Sequence, residues 1–491
     1  MPLKYLDDDI VDLRKPDGST WQYYWGDAVE VLGEADGAFK VKMHGLKGVV
    51  DEGLISNKTK LRATGLLRLS MVDVQQGDGL IFDTPKGRVV FIDGGENQLF
   101  ARHAAARYSG TSAADPLVVD AVIVTHGDGD HFMGLTEFQK SETHTEKRKR
   151  IFMTARRVYH NGLAKRPGSL NGADRPDVAM FGQTKTKDGR PYCVELADDP
   201  RDLPDSELNK YFAQWKATLV AWSQRLKSSV NETLQVRRLD QHATDAFDFL
   251  ADEGIAVDLL GPITEPVGGK TALPFLADPP DDAGLMNGVK PVSGSKSWSA
   301  SHTINGHSIT FRLRYGNVRF LFTGDMNEES MRRMREALPG AALRSEILKT
   351  PHHGSADFSY PFLQEVNAVV SLISSGDESE AKEYIHPRAT LMAALGRASR
   401  TVPAVIFCTE LAAFFKTRGY VPDPAAPGRT FFAFERTNFG IAHVRTDGKR
   451  VLAFTHSGKQ GMNEAYRFTV SPSGEAVFDP KVVKRSAPKL P

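Results

Sequence analysis

Apolar and polar residues alternate in two short stretches near the start of the chain, Gly26-Asp27-Ala28-Val29-Glu30-Val31-Leu32-Gly33 and Ala38-Phe39-Lys40-Val41-Lys42-Met43. A period of two predicts strands with one buried face, joined here by a turn at Ala35-Asp36-Gly37, and residues 46–50 predict another. From about residue 66 the pattern is strand-rich, with predicted strands at 66–74, 79–83 and 88–93, the last ending in Gly94-Gly95. Residues 118–124 form an apolar run that reads as a buried strand. The period then changes: Leu208, Phe212, Trp215, Leu219 and Trp222 recur at helical spacing and predict a helix over 205–226 with a core-facing stripe. Residues 263–303, rich in Pro, Gly and Ser, read as a long surface loop or mobile flap. Regular structure resumes as a hairpin, 308–315 and 318–322 around Gly316-Asn317, followed by a helix from Asn327 to Leu338. Strands at 345–349 and 368–374 and a late hairpin at 440–444 and 450–454 complete the pattern. The basic, proline-containing tail 481–491 reads as loose.

At 491 residues the chain is too long for one ordinary domain. The pattern divides it into an N-terminal all-β unit (1–62), a large α/β unit (63–456) with a long insertion at about 140–300, and a C-terminal extension (457–491). Lys and Arg total 62 against 61 Asp and Glu, so global charge argues neither for nor against a nucleic-acid partner, and any basic groove has to be local. No apolar run approaches the roughly 20 residues that cross a bilayer, and the N-terminus has no apolar signal core. No membrane partner is therefore expected, and a cytoplasmic location is. Cys193 and Cys408 are not at metal-site spacing and make a disulfide framework unexpected. Cys193, Met331, Met334 and the tryptophans read as packing.

Chemistry concentrates where predicted strands end. The run at 118–124 leads directly into Thr125-His126-Gly127-Asp128-Gly129-Asp130-His131. Two His and two Asp brought together repel or desolvate one another unless a cation lies between them. The same event recurs at Thr323-Gly324-Asp325, at Thr350-Pro351-His352-His353-Gly354-Ser355, and in the loop holding His386-Pro387. Independent polar turns have no reason to repeat it, whereas one metal centre assembled at a sheet edge does.

These segments, with Asp73-Val74-Gln75-Gln76-Gly77-Asp78, Ile92-Asp93-Gly94-Gly95 and Asn305-Gly306-His307-Ser308, resemble the metallo-β-lactamase superfamily, and more closely its ComEC-like competence-protein nuclease branch. The resemblance runs from about 66 to 456. It implies an αββα sandwich with two divalent metal ions, Zn or Mn, at one edge. One ion would take His126, Asp128 and His307; the other Asp130, His131 and one of His352 and His353; Asp325 would bridge them. The ions would share a water whose pKa falls toward neutrality. Asp128 stands where the superfamily more commonly has His, and the harder oxygen ligand makes manganese a competitor to zinc.

The implied catalytic group is Asp130, His352, His353, His386 and Lys349, with Lys349 or Arg388 as a cation for a phosphoryl oxygen. His386 reads equally as a ligand, a leaving-group acid, a hydrogen-bonding support or a structural turn residue. Asp73 and Asp78 would shape the loop beneath the metals, where Gln75 replaces a glycine usual in the ComEC-like motif and puts the turn's geometry in question. The expected activity is hydrolysis of a phosphodiester in DNA, RNA or a nucleotide. The alternatives are hydrolysis of a small non-nucleotide ester, or a non-catalytic module that retains the fold. The N-terminal unit resembles a bacterial Src-homology-3-like barrel, which would bind a peptide or protein or simply pack on the next domain.

Overall fold

Two β-sheets packed face to face organise the chain. The computed structural model describes residues 3–44, 50–170, 172–277, 297–339, 343–376, 386–422, 428, 430–438, 440–456, 462–479 and 481–488. In the first sheet, Leu67–Met71, Leu80–Asp83 and Val89–Ile92 form an antiparallel meander. Parallel strands Ala121–Ile123, Arg157–His160 and Gln235–Arg238 extend it on one side. Antiparallel Ile441–Thr446, Arg450–His456, Met462–Val470 and Ala476–Asp479 extend it on the other. The second sheet begins with antiparallel Ile255–Gly261, Thr310–Tyr315 and Val318–Phe322 and continues in parallel through Ile347–Lys349, Val370–Ile373 and Val405–Cys408.

The main core lies between the sheets, where Leu69, Phe82 and Ile92 meet Phe311, Phe322 and Leu372. Helices Leu99–Arg107, Gly129–Ser141 and Lys210–Val230 cover the outer face of the first sheet, and Glu328–Ala337, Tyr360–Val366 and Ala389–Ala398 that of the second. The result is four layers. Burial on both faces explains why Ala121–Ile123 sits in an unbroken apolar run instead of an alternating one. The Lys210–Val230 helix starts where the Asn209 side chain accepts from the Phe212 N–H (2.9 Å), and it buries the predicted stripe of Phe212, Trp215, Leu219 and Trp222.

Parallel strands deliver their carboxyl ends to one rim. The ends of Val89–Ile92 and Ala121–Ile123 lead to Asp93, Thr125 and His126; those of Val318–Phe322, Ile347–Lys349 and Val370–Ile373 lead to Asp325, Thr350 and Ser374. Loop residues after a strand are free to turn side chains into a shared space while the sheet holds their backbones.

The N-terminal region is a larger sheet than alternation alone predicted. Lys4–Leu6, Ile10–Arg14 and Thr20–Tyr24 join Ala28–Ala35, Ala38–His44 and Val50–Ser56, with Leu61–Arg62 at one end. Residues 46–49 of the predicted strand at 46–50 lie outside the described residues. Tyr24 and Trp25 pack with Leu66, Leu452 and Phe454, and buried Arg445 pairs with Asp27 at 2.9 Å. This sheet therefore packs on the larger unit.

The C-terminal region also departs from expectation. The first sheet runs past residue 456 into Met462–Val470 and Ala476–Asp479. The tail predicted to be loose pairs Lys484–Arg485 with Ile10–Arg14, and Lys484 and Arg485 reach Asp12 and Asp8 at 3.1 Å each. Acidic residues near the start of the chain thus hold its basic end. Residues 263–303 are not simply a loop either, since Glu265–Val267 and Lys270–Pro274 form a small sheet with Arg190–Cys193 and Thr184–Lys187. Residues 278–296 of that expectation lie outside the described residues. Among the described residues, no helix is long and apolar enough to cross a membrane.

Candidate metal centre

The Gly129–Ser141 helix begins inside the His/Asp run, which places Asp130 and His131 in its first turn. Its approach to the loop before residue 80 is very close: a Cβ on Gly77 (φ +93°) would lie 1.6 Å from the Asp130 carbonyl oxygen. The same loop holds Gln75 at φ +63°, with the Asp73 carboxylate accepting from its N–H at 3.2 Å. The turn therefore keeps the left-handed conformation that a glycine would supply. His352, His353 and Gly354 are consecutive left-handed residues (φ +45°, +50° and +91°). A non-glycine pair in that region stores strain of order 1–3 kcal/mol per residue and tends to mark functional sites.

Asp130, His131, Asp325 and His353 each offer a ligand atom, and these atoms lie within 4.8 Å of one another. Asp325 Oδ2 is the hub, 3.2 Å from His131 Nε2 and 3.1 Å from His353 Nε2. His352 Nε2 and His126 Nε2 stand 3.9 and 4.0 Å from the same oxygen. Asp130 Oδ2 is 3.4 Å from His353 Nε2 and accepts from Gln76 at 3.3 Å.

The surroundings fix the ring nitrogens. Asp93, buried and itself taking two hydrogen bonds of 2.7 Å from Thr125, lies 2.9 Å from His131 Nδ1. The Ser374 carbonyl lies 3.1 Å from His353 Nδ1, with Asp78 Oδ1 at 3.4 Å. With both Nδ1–H groups donating outward, each Nε2 lone pair points at a carboxylate oxygen. His131 Nε2, His353 Nε2 and Asp325 Oδ1 are buried and make no hydrogen bond. Lone pairs facing a carboxylate in a dry site repel unless positive charge joins them. Burial opposes charge on His131, yet Asp325, Asp93 and Asp130 outweigh it and hold its pKa well above the usual imidazole value. His353 behaves likewise through Asp325, Asp130 and Asp78. Burial also works against ionised Asp325, but the facing imidazoles hold its pKa well below the carboxylate range. The site thus demands positive charge at one point, and the donor set of two imidazoles and two carboxylates fits a divalent ion.

Three predicted residues stand elsewhere or differently. His307 does not join the cluster. Its Nε2 bonds the Pro274 carbonyl at 2.7 Å, and burial pushes its pKa down to about 4 in the company of Arg333, Glu329 and Arg190. The Ala300–Gly306 helix ends at this residue, and the ring turns toward the insertion's small sheet. Lys349 is buried, ion-paired with Asp78 and donating to the Gly324 carbonyl at 3.0 Å. It offsets the acidic charge from below and is not among the residues that line the cleft. Asp128 is ion-paired with Lys165. With its amide nitrogen turned toward them, Asn305 donates to Asp128 Oδ2 at 2.6 Å and to His126 Nε2 at 3.3 Å. Ser308 Oγ, committed as donor to the Asn305 carbonyl (2.7 Å), accepts from His126 Nδ1 at 3.2 Å.

A cleft of about 980 Å³ opens onto the cluster. His352 and His386 line it with ring centres 5.9 Å apart, and burial pushes the His386 pKa down to about 3. The insertion supplies Tyr211, and Ser299, Ser301 and His302 complete that wall. Arg388 starts a helix beside His386, where its N–H donates to the Gly354 carbonyl at 2.8 Å.

Sequence reasoning missed Lys165 and the inward roles of Asp93, Asn305 and Ser374. Asp93, Asn305 and Ser374 sit at the ends of predicted strands or in quoted motifs, which is a usable signal; Lys165 carries none.

Residues 74–186 match the family described as Metallo-beta-lactamase superfamily, and the chain carries that superfamily's domain there. The span includes Asp78, Asp93, His126, Asp130, His131 and Lys165; Asp325 and His353 come from the second sheet, beyond it. No curated protein matches the chain. Among solved structures, a long-form RNase Z from yeast aligns with 8% identity and a TM-score of 0.25, over 63% of this chain and 36% of that one. The chain thus spans little more than a third of that protein, a likeness too remote to bear on fold or function.

Proposed function

We propose that the chain is a divalent-metal hydrolase built on the αββα metallo-β-lactamase sandwich, acting on a phosphodiester in DNA, RNA or a nucleotide. The observation that carries the metal is the meeting of His131 Nε2, His353 Nε2 and Asp325 Oδ2 at 3.1–3.2 Å, with both ring nitrogens buried and making no hydrogen bond. Asp130, His131, Asp325 and His353 would hold the ion, Zn or Mn. Such an ion, when bound, supplies Lewis-acid charge and makes water acidic enough to act as a nucleophile near neutral pH. Asp93 and Ser374 aim the two imidazoles. His352, partly exposed in the cleft beside Asp325, is placed to give a proton to a leaving oxygen. His386, held neutral by burial, is suited to accept or donate a hydrogen bond at that wall.

The phosphodiester class rests on the motif likeness to the ComEC-like nuclease branch. The test is a screen of apo protein reloaded with Mn or Zn on linear DNA, circular DNA, RNA and bis(4-nitrophenyl) phosphate. Turnover that disappears on chelation is expected, and its absence with every metal and substrate would overturn the reading. One observation favours a second reading, a small non-nucleotide ester. The described cleft lining includes Glu96, Asp128, Asp130 and Asp325 but no Lys or Arg. A nucleic-acid substrate should bind with a steep salt dependence, whereas a small ester should not.

A further inference from the structure

The superfamily resemblance implies two ions, yet among the described residues the His and Asp groups close enough to share one are Asp130, His131, Asp325 and His353, and Asp78, Asp93 and His131. The latter group is already held by the Lys349 ammonium and by the His131 Nδ1–Asp93 contact, and neither includes His126, Asp128 or His307. The second position would need His126, Asp128 and a third ligand, with Asp325 shared. Each of these is already engaged. His307 is turned to the Pro274 carbonyl. With its amide nitrogen turned inward, Asn305 donates to His126 Nε2 at 3.3 Å and to Asp128 Oδ2 at 2.6 Å. The Lys165 ammonium pairs with Asp128 Oδ1. A dication placed there would have to displace an ammonium and an amide donor, both positive ends pointing at the same ligand atoms.

The Lys165 segment is anchored. It follows Arg157–His160, the strand next to Ala121–Ile123 in the sheet, so it emerges at the same rim as His126. Asn161 donates to the His307 carbonyl at 3.0 Å, and the Lys165 carbonyl accepts from the Asn209 N–H at 3.0 Å. The next residue, Arg166, pairs with Glu195 at 2.7 Å and also with Glu207. The ammonium is thus delivered by a fixed loop. Asp78, Asp93, Asp128, Asp130 and Asp325 face Lys349 and Lys165, so the two ammonium groups already offset part of the acidic charge at this rim.

We propose that the Lys165 ammonium occupies the place of a second divalent cation, so that this protein binds one ion, held by Asp130, His131, Asp325 and His353. The inference rests on the metal-dependent reading above but differs from it in what would defeat it.

Purified protein is stripped of metal and titrated with Mn²⁺ by calorimetry, with electron paramagnetic resonance of the loaded sample. Wild type should bind one equivalent and give the signal of an isolated Mn²⁺. Lys165→Met frees Asp128 and should bind a second equivalent, with exchange coupling between the ions. Asp128→Asn should still bind one. Two tight equivalents or a coupled pair in wild type would overturn the proposal, as would a single equivalent in both wild type and folded K165M. If K165M does not fold, the wild-type stoichiometry and spectrum decide alone. Binding of no ion by wild type would overturn the metal-dependent reading itself, a result distinct from binding two.

Discussion

Asp93 shows how much a buried carboxylate can do without touching substrate. It takes two hydrogen bonds from Thr125 and leaves its remaining interaction for His131 Nδ1. Replacing it by Asn keeps the shape but puts a possible N–H donor where the imidazole must donate. Metal affinity of Asp93→Asn should fall about 10–100-fold, the usual cost of losing such a partner, as read by calorimetric titration. Unchanged affinity would show that His131 is oriented by something else. Gly77 is a second such position. Gly77→Ala forces a Cβ against the Asp130 carbonyl in a left-handed residue, and should lower stability by about 2 kcal/mol or more in urea unfolding while weakening metal binding. The residue types of the cluster were legible because strand ends carried them. The direction in which each side chain turns was not. His307 is drawn off by a carbonyl 33 residues upstream, and Asp128 is claimed by a lysine 37 residues downstream. Neither pairing leaves a local pattern in the sequence.

At the scale of single elements, the strand Arg157–His160 ends in a histidine that locks the wall next to the site. His160 Nε2 donates to the Asp198 carbonyl (3.0 Å) while Nδ1 accepts from the Gly162 N–H (3.2 Å), so the ring must be neutral. Burial is the main cause that pushes its pKa down to about 4 from the usual 6.5. The folded state then binds fewer protons than the unfolded chain between those values. Its contribution is complete above pH 6.5 and is lost as pH falls toward 4, by up to about 3 kcal/mol. Urea unfolding at pH 7.5 and 4.5 should show a smaller pH-dependent loss for His160→Gln than for wild type. Equal losses would contradict the assignment. The Lys210–Val230 helix was legible from its stripe because Phe212, Trp215, Leu219 and Trp222 bury one face. Its start was displaced from the expected residue 205 because a short helical turn at Asp205–Glu207 precedes the Asn209 cap.

Across the whole molecule, contacts between distant segments join the N-terminal sheet to the larger unit. Arg445, on the late hairpin, is buried against Asp27 of the N-terminal sheet. Asp27→Ala leaves that guanidinium buried without its counter-charge and should cost about 3–5 kcal/mol in chemical unfolding, whereas Asp27→Ala with Arg445→Met should recover much of it. A small loss in the single variant would mean the two units are joined chiefly by the Tyr24, Trp25, Leu452 and Phe454 contacts. This joining, like the pairing of Lys484–Arg485 with Ile10–Arg14, links the two ends of the chain. Alternation predicts strands but not partners hundreds of residues away, so a basic tail read as loose and a boundary at 456 fell inside continuous sheets.

The central claim, that imidazoles and carboxylates from two sheets converge on a cation, is open to direct measurement. Crystals of the Mn- or Zn-loaded protein, with data at the metal's absorption edge, should show an anomalous peak about 2.0–2.3 Å from His131 Nε2, His353 Nε2 and a carboxylate oxygen of Asp325. A fully loaded crystal with no peak there, or with its strongest peak elsewhere on the chain, would contradict the account.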